Sequence, residues 1–286
     1  MTSPRATFVA RGVLFLQARR ARDCVHLVTR QMHALAGASG LYGLRSEAPP
    51  HRNHSLQSRH MPRFLSEHRC PRCEIRRPLC FCEFIPQINL QTRVIVMMHR
   101  DEEVLTSNTA RLATKALTNS EIRVRGRKDE LVSSVGIVED GRHSLLLYPS
   151  PRSVELNADY LARLNEPVTL VVPDGNWRQA QRAVRREPAL AGLPHVRLPD
   201  GLPSEYRLRA QPNEHCLCTL EAIARAIGLL ESREAQSQLE VVLRVLVERT
   251  LWSRGLLTAE RCITAGIPVA ALTANGKRTY TPHGEN

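Results

Sequence analysis

Aromatic side chains are scarce: two tryptophans, five tyrosines and five phenylalanines make up 4% of the 286 residues. A protein that holds single-stranded nucleic acid on a row of stacking platforms needs more of them. The chain also lacks any apolar run near the ~20 residues that a membrane-spanning helix requires. Its most apolar early stretch, TFVARGVLFLQARRARD (7–23), is interrupted by Arg11 and has no small-residue cleavage site, so it does not read as a secretory signal. Acids are nearly missing from the first sixty positions, where Asp23 and Glu47 face nine arginines and no lysine. That segment therefore carries +7 of the formal net charge of +12, and residues 61–286 carry +5.

An arginine- and histidine-rich segment ending in EAPPHRNHSLQSRH (47–60), with no hydrophobic period, is expected to be disordered. Met61 follows directly, so 1–60 reads either as a basic extension or as sequence ahead of a later start. Its composition also matches an organelle transit peptide. A basic surface suits a polyanion, nucleic acid before anionic membrane. Beyond residue 60 the chain is only moderately basic, and charge alone does not choose.

What the chain does have is alternation. TRVIVMMH (92–99), SLLLYP (144–149), VTLVVP (168–173) and HVRLP (195–199) read as strands. Between and after them, SNTARLATKAL (107–117), capped by Ser107 or Asn108, SVELNADYLARL (153–164), opened by Ser153, WRQAQRAVRRE (177–187), TLEAIARAIGLLE (219–231) and EAQSQLEVVLRVLVERTLWSR (234–254) read as helices. Apolar strands alternating with helices predict an α/β fold, a mostly parallel sheet with helices on both faces. No internal repeat is visible. The expected organisation is a basic extension (1–60), a small cysteine knuckle (61–88), an α/β domain (89–255) and a C-terminal tail (256–286).

Four of the eight cysteines fall within CPRCEIRRPLCFC, as C-x2-C-x6-C-x-C. Two thiolate pairs on tight turns close a tetrahedral S4 site, for which Zn2+ is the commonest occupant. Cys70, Cys73, Cys80 and Cys82 are the candidate ligands. Arg69, Arg72, Arg76 and Arg77 supply counter-charge, and four protein ligands leave no position open for catalysis, so the role is structural. Free or paired thiols and an iron–sulfur cluster are the alternatives. Cys216 and Cys218 lack a second pair and read as thiols in packing. Thiol-rich spacing without a secretory signal suits a reducing cytosol.

In open parallel sheets ligands bind beyond the carboxyl ends of the strands. Three such ends carry unusual residues: HRDEEVLTSNTARL (99–112), YPSP (148–151) and PDGNW (173–177). Proline after a strand ends the ladder, and Gly175 permits a sharp turn or close approach. A fourth block, SEYRLRAQPNEHCLCTLEA (204–222), sets Arg207 and Arg209 on one side of an extended segment ahead of a helix start at Thr219. Each block alone also fits a plain loop or a solvated edge.

Together, C-x2-C…C-x-C, SNTARL, YPSP, DGNW.QA and YRLR……CT.EA resemble the DTW-domain family of tRNA-uridine aminocarboxypropyltransferases, from residue 68 to about 254. Two positions depart from the family pattern: Asn176 replaces the usual Thr of Asp-x-Thr-Trp, and His99-Arg100 replaces a frequent His-Pro. Asn keeps a capping side chain, so the corner should retain its geometry. The resemblance implies a knotted SPOUT-like fold and S-adenosylmethionine as co-substrate. It also implies transfer of the 3-amino-3-carboxypropyl group to N3 of a tRNA uridine. It implies catalytic roles for Asp174 and Trp177, and cofactor contacts from Tyr148, Pro149, Ser150, Pro173, Asp174, Gly175, Tyr206, Arg207, Arg209, Thr219 and Glu221. RNA contacts would come from Asn108, Thr109 and Arg111, and the metal ligands are the four clustered cysteines.

The partner expected is tRNA, with no membrane and no obligatory protein partner, in the cytoplasm. N3 of uridine must lose a proton during attack, and Asp174 is the only acid in the signature block. An ordinary Asp is a weak base and a nearby sulfonium weakens it further, whereas burial against Trp177 would raise its pKa. Asp174 therefore reads either as a base or as a group orienting N3–H. Trp177 fits stacking on a base or packing under the corner. A methyltransferase on the same cofactor and a non-catalytic zinc-knuckle RNA-binding protein remain the rival readings.

Overall fold

A computed structural model describes residues 67–127, 132–209 and 216–275. The basic extension 1–60 lies outside the described residues.

Six strands form one sheet: β1 (Arg93–His99), β2 (Ser120–Arg125), β3 (His143–Leu147), β4 (Val154–Glu155), β5 (Val168–Asp174) and β6 (His195–Arg197). Their order is β2-β1-β5-β3-β6-β4, and every neighbouring pair is parallel. The helices are α1 (Ala110–Ala116), α2 (Ala158–Leu161), α3 (Trp177–Arg186), α4 (Thr219–Leu230), α5 (Arg233–Ser253) and α6 (Val269–Asn275). The expected α/β class and parallel sheet are what the chain adopts.

Successive side chains of a strand point to opposite faces, and the three central strands are apolar on both. Val94, Val96 and Met98 of β1, with Val168, Leu170 and Val172 of β5, meet α1, α4, α5 and the cysteine knuckle in the larger core. Ile95, Met97, Leu146 and Val171 face the other way, toward Ala180 and Ala183 of α3 and the turn at Pro188–Leu190. None of the described helices is long and apolar enough to cross a membrane.

Two elements differ from the sequence expectation. The helix expected from Ser153 is only α2, capped by Asn157, whose side chain accepts from Tyr160 N. Val154 and Glu155 ahead of it instead pair with Val196 and Arg197 as an edge strand. SEIRVR, too charged to read as a strand, is the opposite edge, where Glu121 binds Arg93 and Arg123 at 2.8 and 2.6 Å. Ion pairs on an edge replace the burial that marks an inner strand.

The frame brings the carboxyl ends of β1, β5 and β3 side by side. They lead into His99, Asp174 and Tyr148.

Candidate functional site

Asp174 continues the parity of Val168, Leu170 and Val172, so its carboxylate lies on the α1/α4 side of the sheet. It is 4% exposed. One oxygen accepts from Asn108 Nδ2 at 2.7 Å and the other from Thr219 Oγ1 at 2.5 Å, clamping it between the starts of α1 and α4. Asn108 also donates to Glu102 at 3.1 Å, and its Oδ1 accepts from Arg111 N, capping α1. Glu102, 5% exposed, accepts in turn from Arg209 at 3.0 Å. Two buried carboxylates thus share the Asn108 amide, and the Arg209 guanidinium pairs with one of them, Glu102. Burial pushes the Asp174 carboxyl above its ordinary range; hydrogen bonds from Thr219 and Asn108 oppose this, and the Glu102 charge adds to it.

The surrounding expected residues divide by use. Thr109 accepts from Leu220 N at 3.3 Å, joining α1 to α4. Arg111 donates to the carbonyls of Glu102, Glu103 and Leu105 and pairs with Glu74 at 2.5 Å, so it shapes the loop between β1 and α1. Glu221 caps α4 through Cys218 N and holds Ser204 and Glu205 N at 2.6 and 2.7 Å. Tyr206 is buried, donates its hydroxyl to Ser107 O at 2.8 Å, and has its pKa pushed up to about 12 by that burial. Arg209 Nε donates to Ser107 Oγ, while its Nη2 is buried without a partner among the described residues. Arg207 is exposed.

Trp177 lies on the other side of the sheet. Its ring stacks on Tyr148 with centroids 5.2 Å apart and planes 18° apart, within the second core. Asp174 therefore owes its burial to Asn108, Thr219 and their helices, and the expected burial against Trp177 does not occur. Trp177 Nε1 is buried and unpartnered among the described residues. Beside the stack, His195 meets Tyr148 edge-on at 6.1 Å, with Nδ1 2.9 Å from Ser150 Oγ and Nε2 2.5 Å from Arg152 Nη2. Arginine only donates, so Nε2 accepts and Nδ1 holds the proton. Burial and the Arg152 charge both lower the His195 pKa, consistent with a neutral ring. Pro149 is exposed at the rim.

The turn between these halves is set by Gly175 and Asn176, beyond Pro173. Gly175 has φ +146°, and a Cβ there would meet Gln179 Oε1 at 2.8 Å and His99 Cβ at 3.3 Å. Asn176 caps α3: its side chain accepts from Gln179 N at 3.0 Å, and Gln179 Oε1 accepts from Asn176 N at 2.8 Å. Gln179 Nε2 reaches His99 Nδ1 at 3.1 Å, fixing the end of β1.

In the knuckle, the four cysteine sulfurs lie within 4.8 Å of one another. Cys70–Cys82, Cys70–Cys80 and Cys73–Cys80 are 3.3, 3.6 and 3.7 Å apart. A tetrahedron with metal–sulfur bonds of about 2.3 Å has edges of about 3.8 Å, so the cluster is able to hold a metal ion with little adjustment.

The family described as DTW domain matches residues 67–251. The chain belongs to the DTW-domain family. Among its relatives, tRNA-uridine aminocarboxypropyltransferase 2 of Drosophila melanogaster is 33% identical over 172 residues, covering 58% of this chain and 67% of the fly protein. The macaque (Macaca fascicularis) protein of the same name is 29% identical over 167 residues, 57% of this chain and 56% of its own length. The Arabidopsis thaliana tRNA-uridine aminocarboxypropyltransferase A is 27% identical over 209 residues, 62% and 79%. The chain thus spans little more than half of the macaque relative. No solved structure matches it. In this DTW-domain chain the signature Asp174, Asn176 and Trp177 occupy one corner, yet the acid and the ring serve opposite faces of the sheet.

Glu102 and His195 were not singled out from the sequence, and His99 and Gln179 entered only as parts of their blocks. HRDEE sits directly after a strand, the only signal that Glu102 carried. His195 opened a short strand with nothing to mark its contact with Ser150.

Proposed function

We propose that this chain transfers the 3-amino-3-carboxypropyl group of S-adenosylmethionine to N3 of a tRNA uridine. The observation that carries the reading is the buried Asp174 clamp at the carboxyl edge of a parallel sheet, in a chain of the DTW-domain family. When bound, the co-substrate supplies an electrophilic alkyl carbon: the N–C bond forms as the C–S bond breaks, and its electron pair goes to sulfur. Arg209 Nη2, buried and without a partner among the described residues, would take the donor's carboxylate, and the Tyr148–Trp177 stack, with Trp177 Nε1 as a further donor, would receive a planar base. These orphaned donors are what make the corner fit a ligand with an amino-acid end and an aromatic end.

Both oxygens of Asp174 already accept hydrogen bonds, so its role in this reading is positional. It orients Asn108 and Thr219 and, through its remaining lone pairs, the N3–H, while the proton leaves to water late in the attack. Glu221, Thr109 and Arg111 shape the corner from within the chain. In this reading Cys70, Cys73, Cys80 and Cys82 would hold Zn2+ as a structural ion, and the protein would work in the cytoplasm.

The test is incubation with unmodified tRNA and S-adenosylmethionine. Methylthioadenosine with a matching mass gain on uridine is the expected outcome. S-adenosylhomocysteine would place the reactive carbon at the methyl group, and no by-product from bound tRNA would return the chain to a binding protein.

A further inference from the structure

Arginines of this protein are mostly tied down. Arg93 pairs with Glu121 and Glu139, Arg123 with Glu121, and Arg244 with Glu205 and Glu240. Helix α3 breaks the pattern. Arg178, Arg182, Arg185 and Arg186 are all exposed, and for the last three no hydrogen bond or ion pair exists among the described residues. At about 100° per residue these four fall on one outward arc, opposite the buried Ala180 and Ala183. At 1.5 Å per residue the arc runs about 12 Å along the helix.

No acid interrupts it. Of the carboxylates near it, Glu187 after the last turn is drawn inward to Arg125 of β2 at 3.4 Å, and Asp101 accepts from Gln179 at 3.1 Å at the first turn; Arg125 also donates to the Gln179 carbonyl. The helix is thus held from behind by an arginine that takes up the Glu187 charge. Arg182, Arg185 and Arg186, kept close on one helix face, repel one another, and a polyanion relieves that repulsion. A solvated lysine face would do little more than aid solubility; guanidinium forks also match phosphate oxygens two at a time.

The position of the stripe adds the second half. α3 starts at Trp177, next after the Asp174–Gly175–Asn176 turn, so the arginine face leads away from the corner. We propose that the outward face of α3 is the RNA-backbone track of this protein: Arg182, Arg185 and Arg186 bind successive phosphates while the nucleotide beyond them turns in at Trp177. The inference rests on the tRNA reading above and deepens it by assigning the surface.

The experiment is a salt titration of the binding of an unmodified tRNA transcript to the full chain. Compared are wild type, Arg182→Gln/Arg185→Gln/Arg186→Gln, the same triple to Lys, and a control triple, Arg163→Gln/Arg233→Gln/Arg261→Gln, at exposed positions off α3. Each lost phosphate contact flattens the slope of log K against log salt by about 0.7–0.9. The α3 glutamine triple should therefore be flatter by about two, which at about 0.1 M salt amounts to roughly a hundredfold weaker binding. Its thermal midpoint should not fall below that of wild type, because the three side chains hold no hydrogen bond or ion pair among the described residues. The lysine triple should keep most of the slope, and the control triple should bind as wild type does. An α3 triple that binds like wild type, or a control triple that loses as much, overturns the track and leaves the tRNA reading standing. Wild type that binds no tRNA at low salt overturns both.

Discussion

At Asp174 burial and charge oppose each other, and the sign of the conflict is measurable. Its native pKa is raised by burial, so the folded state holds the proton more tightly than the unfolded chain does. Unfolding free energy therefore falls as pH rises from the ordinary value of about 3.9 toward the raised native value, above which the loss is complete. Asp174→Asn should lack that slope in denaturant titrations across the acid range. At neutral pH the same variant should lose at least about a hundredfold in turnover, since an amide turned toward Asn108 Nδ2 sets donor against donor. If Asp174 is the base, wild-type turnover should rise with pH while its carboxyl ionises and be level above that; turnover that goes on rising through the mildly alkaline range would mean that N3–H is lost to solvent and that Asp174 acts by position. Gly175 is the neighbouring test. With φ +146° and Gln179 and His99 at the place of a Cβ, Gly175→Ala should cost about 1–3 kcal/mol in urea denaturation.

Among the elements, α3 depends on its first residue. Asn176 and Gln179 form a reciprocal cap, so Asn176→Ala should lower stability by about 1 kcal/mol, and Asn176→Thr by much less, each read from the urea midpoint. The departure from the usual Thr thus exchanges one cap for another. The inner strands and the long helices were legible because their apolar runs exceed the noise of local chemistry: α4 and α5 lie within one residue of the expected ends. The edges were not, because SEIRVR and Val154–Glu155 are strands by virtue of their neighbours. The site was legible as a set of blocks and illegible as a partition. Parity along β5 would have placed Asp174 with Val172 and away from α3, but which helices cover that face is a matter of topology. Arg111 shows the same limit. The sequence offered this arginine only as an RNA contact, and its pairing with Glu74, 37 positions earlier, was not legible there.

Across the whole molecule the knuckle and the Asp174 corner are mechanically joined. Glu74 of the knuckle binds Arg111 and Lys115 of α1 at 2.5 and 2.8 Å, and the start of α1 carries Asn108, which holds Asp174. From the other side Arg249 of α5, 2% exposed, donates to the carbonyls of Leu79, Cys80 and Gly266 and lies 5.4 Å from the Phe84 ring centroid. A zinc ion held by four thiolates would carry a net charge of −2, and Arg249 is the buried cation that would face it through the Cys80 backbone. Removing the ion would leave sulfurs 3.3–3.7 Å apart that must take up protons and separate, pulling the turn that both Arg249 and Glu74 grip. Loss of metal should thus unfold the α/β domain with the knuckle, in one thermal transition at lower temperature. Arg249→Met keeps the volume and removes the cation. Such outer-shell partners are worth about 10–100-fold in metal affinity, so zinc should pass to a chromophoric chelator correspondingly more readily from this variant. Unchanged zinc retention would mean that Arg249 serves only the carbonyls, and that the knuckle's charge is balanced by the surface arginines 69, 72, 76 and 77.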